Sequence, residues 1–141
     1  MNRKELELAG AILYACEGTK LRKDPRHKNT YLYAIELTNS DPKIICLFVK
    51  FLLKVIKTDK ERLRGQLFTY PDHNITELKK YWSEKTGIPL EQFQKVIELK
   101  NRNSKYKPNP LGTFKVRCTC KEDFLKLQGI ISRVWKGAGV V

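Results

Sequence analysis

A chain of 141 residues has room for one compact domain with its own core, and at 41% hydrophobic and 30% charged it is too apolar for disorder. Twenty-eight Lys and Arg against fifteen Asp and Glu leave a net charge of +13, an excess whose self-repulsion points to a polyanionic partner. No apolar run reaches the roughly 18 residues of a membrane span, and no apolar signal core follows Met1 to Leu6, so the expectation is a cytoplasmic protein with no membrane partner.

The first predicted helix runs from about Arg3 to Cys16, with Leu6, Gly10, Leu13 and Tyr14 on one stripe and Gly18 as a left-handed cap. A basic, turn-rich stretch from Lys20 to Asn29 leads to a strand over Tyr31 to Leu37. Asn39-Ser40-Asp41-Pro42 starts a second helix, capped by Ser40 or Asp41. Ile44, Ile45, Leu47, Phe48, Phe51, Leu52 and Val55 give that helix a wide apolar face.

Arg62 to Tyr70 alternates as a strand does, with Leu63 and Leu67 on one face and Arg62, Arg64 and Gln66 on the other. A helix follows from about Ile75 to Thr86, stopped by Gly87 and Pro89, and Gln92 to Lys100 holds another short strand. After a basic loop from Asn101 to Pro110, Thr113 to Cys120 alternates again, with Lys115 and Arg117 opposite Phe114, Val116 and Cys118. An amphipathic helix from Phe124 to Trp135 closes the pattern. Hairpin strands separated by helices predict an α+β fold, an antiparallel sheet with helices on one face.

The positive charge is concentrated. Between Thr19 and Thr30 stand Lys20, Arg22, Lys23, Arg26 and Lys28 against Asp24 alone. Between Lys95 and Arg117 stand Lys95, Lys100, Arg102, Lys105, Lys107, Lys115 and Arg117 against Glu98 alone. The two stretches hold +10 of the +13, on strands and their loops. Arg and Gln are the side chains that pair bidentately with guanine and adenine edges, and a β-ribbon fits the major groove. These basic residues, with Arg62, Arg64 and Gln66, are the predicted DNA contacts, with Tyr106 and the loop lysines on phosphates.

Four cysteines, Cys16, Cys46, Cys118 and Cys120, lack the C-x2-C pairs of a zinc site and read as buried free thiols. His27 and His73 lie in polar turns and read as solvent-exposed. Serine nucleophile signatures and phosphate-cradling glycine loops are absent.

The segment Gly10-Ala11-Ile12-Leu13-Tyr14-Ala15-Cys16-Glu17-Gly18 is a helix with small residues along one side, ending in an acid and a glycine. It resembles the motif of the LAGLIDADG homing endonucleases: Glu17 and Gly18 match the last two positions, Cys16 the small one before them and Ala11 the early alanine. Thr38 to Pro42, Tyr81-Trp82-Ser83 before Thr86 to Pro89, and Gly112-Thr113 are similar to segments of LAGLIDADG-like proteins of bacteria and archaea. Two positions differ: Ile12 stands where a second small residue is usual, and the acid is Glu rather than Asp.

The resemblance implies an αββαββα fold whose saddle-shaped sheet sits over double-stranded DNA. It also implies a homodimer joined through the motif helix at Gly10, Ala11, Leu13 and Tyr14, since the chain has one motif and no repeat. Glu17 from each copy would then hold Mg2+ for phosphodiester hydrolysis. Gln66 is the candidate to position water, and Lys95, Lys100 and Lys115 are candidates to offset phosphate charge. Two rival readings are a DNA-binding regulator of the same fold without nuclease activity and an RNA-binding splicing cofactor.

Overall fold

A computed structural model describes residues 1–26, 30–100 and 109–140. Helix α1 spans Arg3–Glu17, and the chain then forms a two-stranded antiparallel ribbon from β1 (Arg22–Lys23) and β2 (Tyr31–Leu32). Strand β3 (Ala34–Asn39) leads into α2 (Pro42–Phe51), which continues as a π-helical turn over Leu52–Ile56. Strand β4 (Leu63–Thr69), helix α3 (Ile75–Thr86), the short β5 (Ile97–Glu98), β6 (Thr113–Thr119) and α4 (Lys121–Gly137) complete the order.

The helix starts are local chemistry. Asn2 opens α1 with a reciprocal capping box to Glu5. Asp41, rather than Ser40, caps α2 by accepting from the Lys43 amide, and Pro42 occupies the first turn. Helix α3 is capped by Asn74 and ends at Gly87 in the left-handed region, where the sequence places its stop.

The four-stranded sheet has the order β3-β6-β4-β5. Strand β6 lies in the middle and runs antiparallel to β3 and β4, whereas β5 runs parallel to β4. The sheet is therefore mixed, not antiparallel throughout as its hairpin pattern suggested. The physical reason is α3: a helical crossover after β4 returns the chain in the same direction, which a hairpin cannot do. The fold is α+β, with the helices covering one sheet face.

One continuous core joins α1 to α4. Strands β4 and β6 bury every second residue, which puts Leu63, Leu67, Phe114, Val116 and Cys118 under the helices. Trp82 of α3 stacks on Phe114 at 4.8 Å, and its Nε1 donates to the Leu111 carbonyl at 2.8 Å. Among the described residues no helix is long and apolar enough to cross a membrane.

The contacts of α1 correct two expectations. Gly10, Ala11 and Tyr14 face inward: a Cβ on Gly10 would lie 2.2–2.6 Å from the Phe51 ring, and Tyr14 stacks on Phe48. They pack α1 onto α2 of the same chain and are not open to a second copy, leaving Leu13 alone of that set partly exposed. Gly18 is extended, not left-handed, because it bridges to Leu37 at the β3 edge while passing directly over the Tyr14 ring.

The thiols and one histidine also differ from the sequence reading. All four cysteines are free, but only Cys118 is buried and Cys16 is exposed. His73 is half-buried: its Nδ1 accepts from the Tyr70 amide at 2.9 Å and its Nε2 lies 2.7 Å from the Asn109 carbonyl. It ties the turn after β4 to the approach to β6.

Candidate nucleic-acid interface

The alternation that buries one side of β4 and β6 turns Arg64, Gln66, Lys115 and Arg117 to the other, where each is only partly buried and, among the described residues, away from the helix-packed core. Strand register aligns them in rows. Glu36, Arg117 and Arg64 face one another across β3, β6 and β4, and Thr38, Lys115 and Gln66 form the next row. Neighbouring strands lie about 4.8 Å apart, so each row is a close line of side chains.

Glu36 organises the first row. Its carboxylate is almost fully buried, at 4% residue exposure, although it belongs to the open face. Arg22 of β1 reaches the Oε1 at 2.9 Å and Arg117 lies 3.5 Å from the same oxygen. The ribbon of β1 and β2 is thereby attached to the open face. Arg117 also donates from Nε to Thr119 Oγ1 at 3.4 Å. Arg64 donates from one Nη to the carbonyls of Glu61 and Leu63, at 2.6 and 2.8 Å. These guanidiniums are held in place by bonds within the fold itself.

Other predicted contacts are committed differently. Lys20 donates to the Ala15 carbonyl at 2.6 Å, covering an open carbonyl in the last turn of α1. Arg26 pairs with Asp24 and stays exposed, as does Lys23. Arg62 is not on the strand face with Arg64 and Gln66. It closes a 3-10 turn over Lys60–Arg62 before β4 begins. Gln66 donates its amide to the Lys95 carbonyl at 2.9 Å, which ties β4 to the segment before β5 and engages the group expected to position water. Lys115 Nζ sits 5.8 Å from the centre of the Phe68 ring. Lys28, Arg102, Lys105, Tyr106 and Lys107, with His27, lie outside the described residues.

Glu17 is the exposed last residue of α1, and the Gly18 bridge to Leu37 sets it at the β3 edge. Lys95 and Lys100 are exposed beside β5, at the opposite edge. Within one chain the sheet thus brings Gln66 and Lys115 together and separates Glu17 from Lys95 and Lys100. Among the described residues no three His, Cys, Asp or Glu side chains are grouped for a metal. Glu17 offers one carboxylate, and a magnesium ion takes one or two along with phosphate oxygens and water.

Sequence reasoning missed Glu36, which sits within an otherwise apolar strand run, Ala34 to Leu37. An acid interrupting such a run is the signal that could have found it. It also missed an apolar groove of about 610 Å³ between α1 and α2, lined by Leu8, Ile12, Leu13, Cys16, Ile44 and Leu47. Glu17 stands at its end. Burial explains the thiol chemistry nearby and below: the Cys46 thiol is pushed up by desolvation, and Cys118 is pushed up to about 12 by burial and then by the charge of Asp123.

In comparison with known proteins, no family model, no curated protein and no solved structure matches this chain significantly.

Proposed function

We propose that this protein binds double-stranded DNA through the open face of its sheet, as a pair of identical copies. The observation that carries the reading is the separation of the two sheet faces. The helices cover one, and Arg22, Arg64, Gln66, Lys115 and Arg117 converge on the other. A cationic β surface of this kind suits the major groove of a duplex. The element order departs from the αββαββα plan of the LAGLIDADG family: with the β1–β2 ribbon outside the main sheet, β3 alone precedes α2 where the plan has two strands, and α3 and β5 stand between β4 and β6.

The pairing surface in this reading is the groove face of α1, not its Gly10 face. Leu8 is 52% exposed there, and Ile12, Leu13, Ile44 and Leu47 extend the apolar strip. Helices meeting along it in parallel would bring two Glu17 carboxylates near each other, the arrangement that metal-dependent cleavage requires.

Binding of fluorescent duplex DNA across a salt series tests the first claim. A steep fall, with a log–log slope near 0.9 per neutralised phosphate, supports it; a flat profile rejects it. Cleavage of a randomised duplex library with Mg2+ or Mn2+, lost in Glu17→Gln, supports the endonuclease. Salt-sensitive binding without cutting assigns a regulator instead, and preference for folded RNA assigns a splicing cofactor.

A further inference from the structure

At one end of the open face, Arg62, Arg64 and Arg117 line a shallow polar pocket of about 380 Å³ with Glu61, Gln94 and Thr119. Arg64 and Arg117 are direct cross-strand partners. Like charges opposed across a sheet are unfavourable, so this pair does not serve the fold. Arg62 adds a third cation, and Glu61 is the one acid of the lining.

Outside the lining, Glu36 is shared by Arg117 with Arg22 through a single oxygen. The lining itself carries three guanidiniums and one carboxylate, a local excess of about two positive charges. Each guanidinium carries five N–H donors in a planar fork, and the described bonds of Arg64 and Arg117 use only some of them. Pinned forks with free donors, an excess charge of two and adjacent hydroxyl and amide groups match a tetrahedral oxyanion.

We infer that this pocket is a phosphate subsite, seating either a backbone phosphate of the bound nucleic acid or a free phosphate group. The inference deepens the nucleic-acid reading and rests on it for the first source only. The pocket also gives the opposed arginines a purpose: bound phosphate converts their repulsion into shared attraction.

The test uses the full chain, with Arg64→Gln and Arg117→Gln as variants and Lys80→Gln on α3 as a charge-matched control. Two probes are read: melting temperature in inorganic phosphate against chloride of equal ionic strength, and duplex DNA affinity against salt. At ten times its dissociation constant, phosphate should raise the wild-type melting temperature by about 3–5 °C, with the gain lost in both arginine variants and kept in the control. On DNA, each arginine variant should lower the log–log salt slope by about one more than the control does.

A phosphate effect without DNA binding would keep the subsite, assign it to free phosphate, and reject the nucleic-acid reading. A changed DNA slope without a free-phosphate effect would assign it to the backbone. DNA binding with unchanged slopes and no phosphate effect would overturn the subsite while leaving the nucleic-acid reading intact. No response to either probe would overturn both. Among the described residues Arg64 pairs with no acid, so Arg64→Gln should fold normally and decides the matter if Arg117→Gln does not.

Discussion

The two faces of the central sheet are built from alternate residues of the same strands, yet they obey opposite rules. On the helix side, Leu63, Leu67, Phe114 and Val116 are buried at 3% exposure or less and fit against Trp82 and α2. On the open side, Arg64 faces Arg117, and Lys115 faces Gln66, with Glu36 as the acid that holds two of the cations. One face is arranged for stability, and the other tolerates repulsion that folding alone would remove. In the proposed function, that second face is the one that meets the nucleic acid.

Substitutions can break this comparison, beginning with the side that holds the fold. Phe114→Ala would empty the space under Trp82 and should cost about 3–5 kcal/mol in chemical denaturation. Gly10→Ala forces a methyl group into the Phe51 ring and should cost about 1–3 kcal/mol, by the same measurement. Ile12→Glu on the groove face should instead leave the melting temperature nearly unchanged and make the protein monomeric by light scattering. An outcome in which Gly10→Ala is harmless to stability but abolishes the dimer would restore the buried stripe as the interface.

Tyr14 links the two sides. Its hydroxyl donates to the Thr19 carbonyl at 2.6 Å and accepts from the Glu36 amide at 3.2 Å, so it positions the strand that carries Glu36. Tyr14→Phe should cost about 1–2 kcal/mol through the unsatisfied backbone groups. Burial pushes the Tyr14 hydroxyl up to about 12 from an ordinary 10.0, and the Cys118 thiol also to about 12 from 9.0. Both protons are held more tightly in the folded state. Stability should therefore be level below pH 9 and fall as the pH rises from 9 towards 12. In Tyr14→Phe the fall above pH 10 should be shallower, as read by denaturation midpoints across the alkaline range.

The smallest stability effect belongs to the open face. Lys115→Gln should change stability by no more than about 0.5 kcal/mol, while lowering the salt slope of DNA binding by about one. Equal losses of stability and binding would mean that the two faces are not separate in function.

Much of the architecture was legible in the chain. The start of α2 at Asp41 and Pro42, the stop of α3 at Gly87 and the alternation of β4 and β6 depend on neighbours within a few positions, and each appears where its pattern places it. Local rules also put Arg64, Gln66, Lys115 and Arg117 on one side of their strands. They failed at Gly18, whose conformation is set by the distant Leu37 and by the Tyr14 ring beneath it. They failed at Arg62 because a 3-10 turn ends one residue before the strand begins.

The sequence by itself determined the charge excess, the bounds of α3 and which residues of β4 and β6 share a face, since these follow from composition, a glycine stop and a period of two. Only the tertiary structure decided that β5 runs parallel to β4, that Gly10 packs on Phe51 inside its own chain, and that Arg22 and Arg117 share Glu36 while Arg64 stands opposite Arg117. Those facts depend on strand order and on contacts between residues far apart in the chain, for which no local pattern carries a signal.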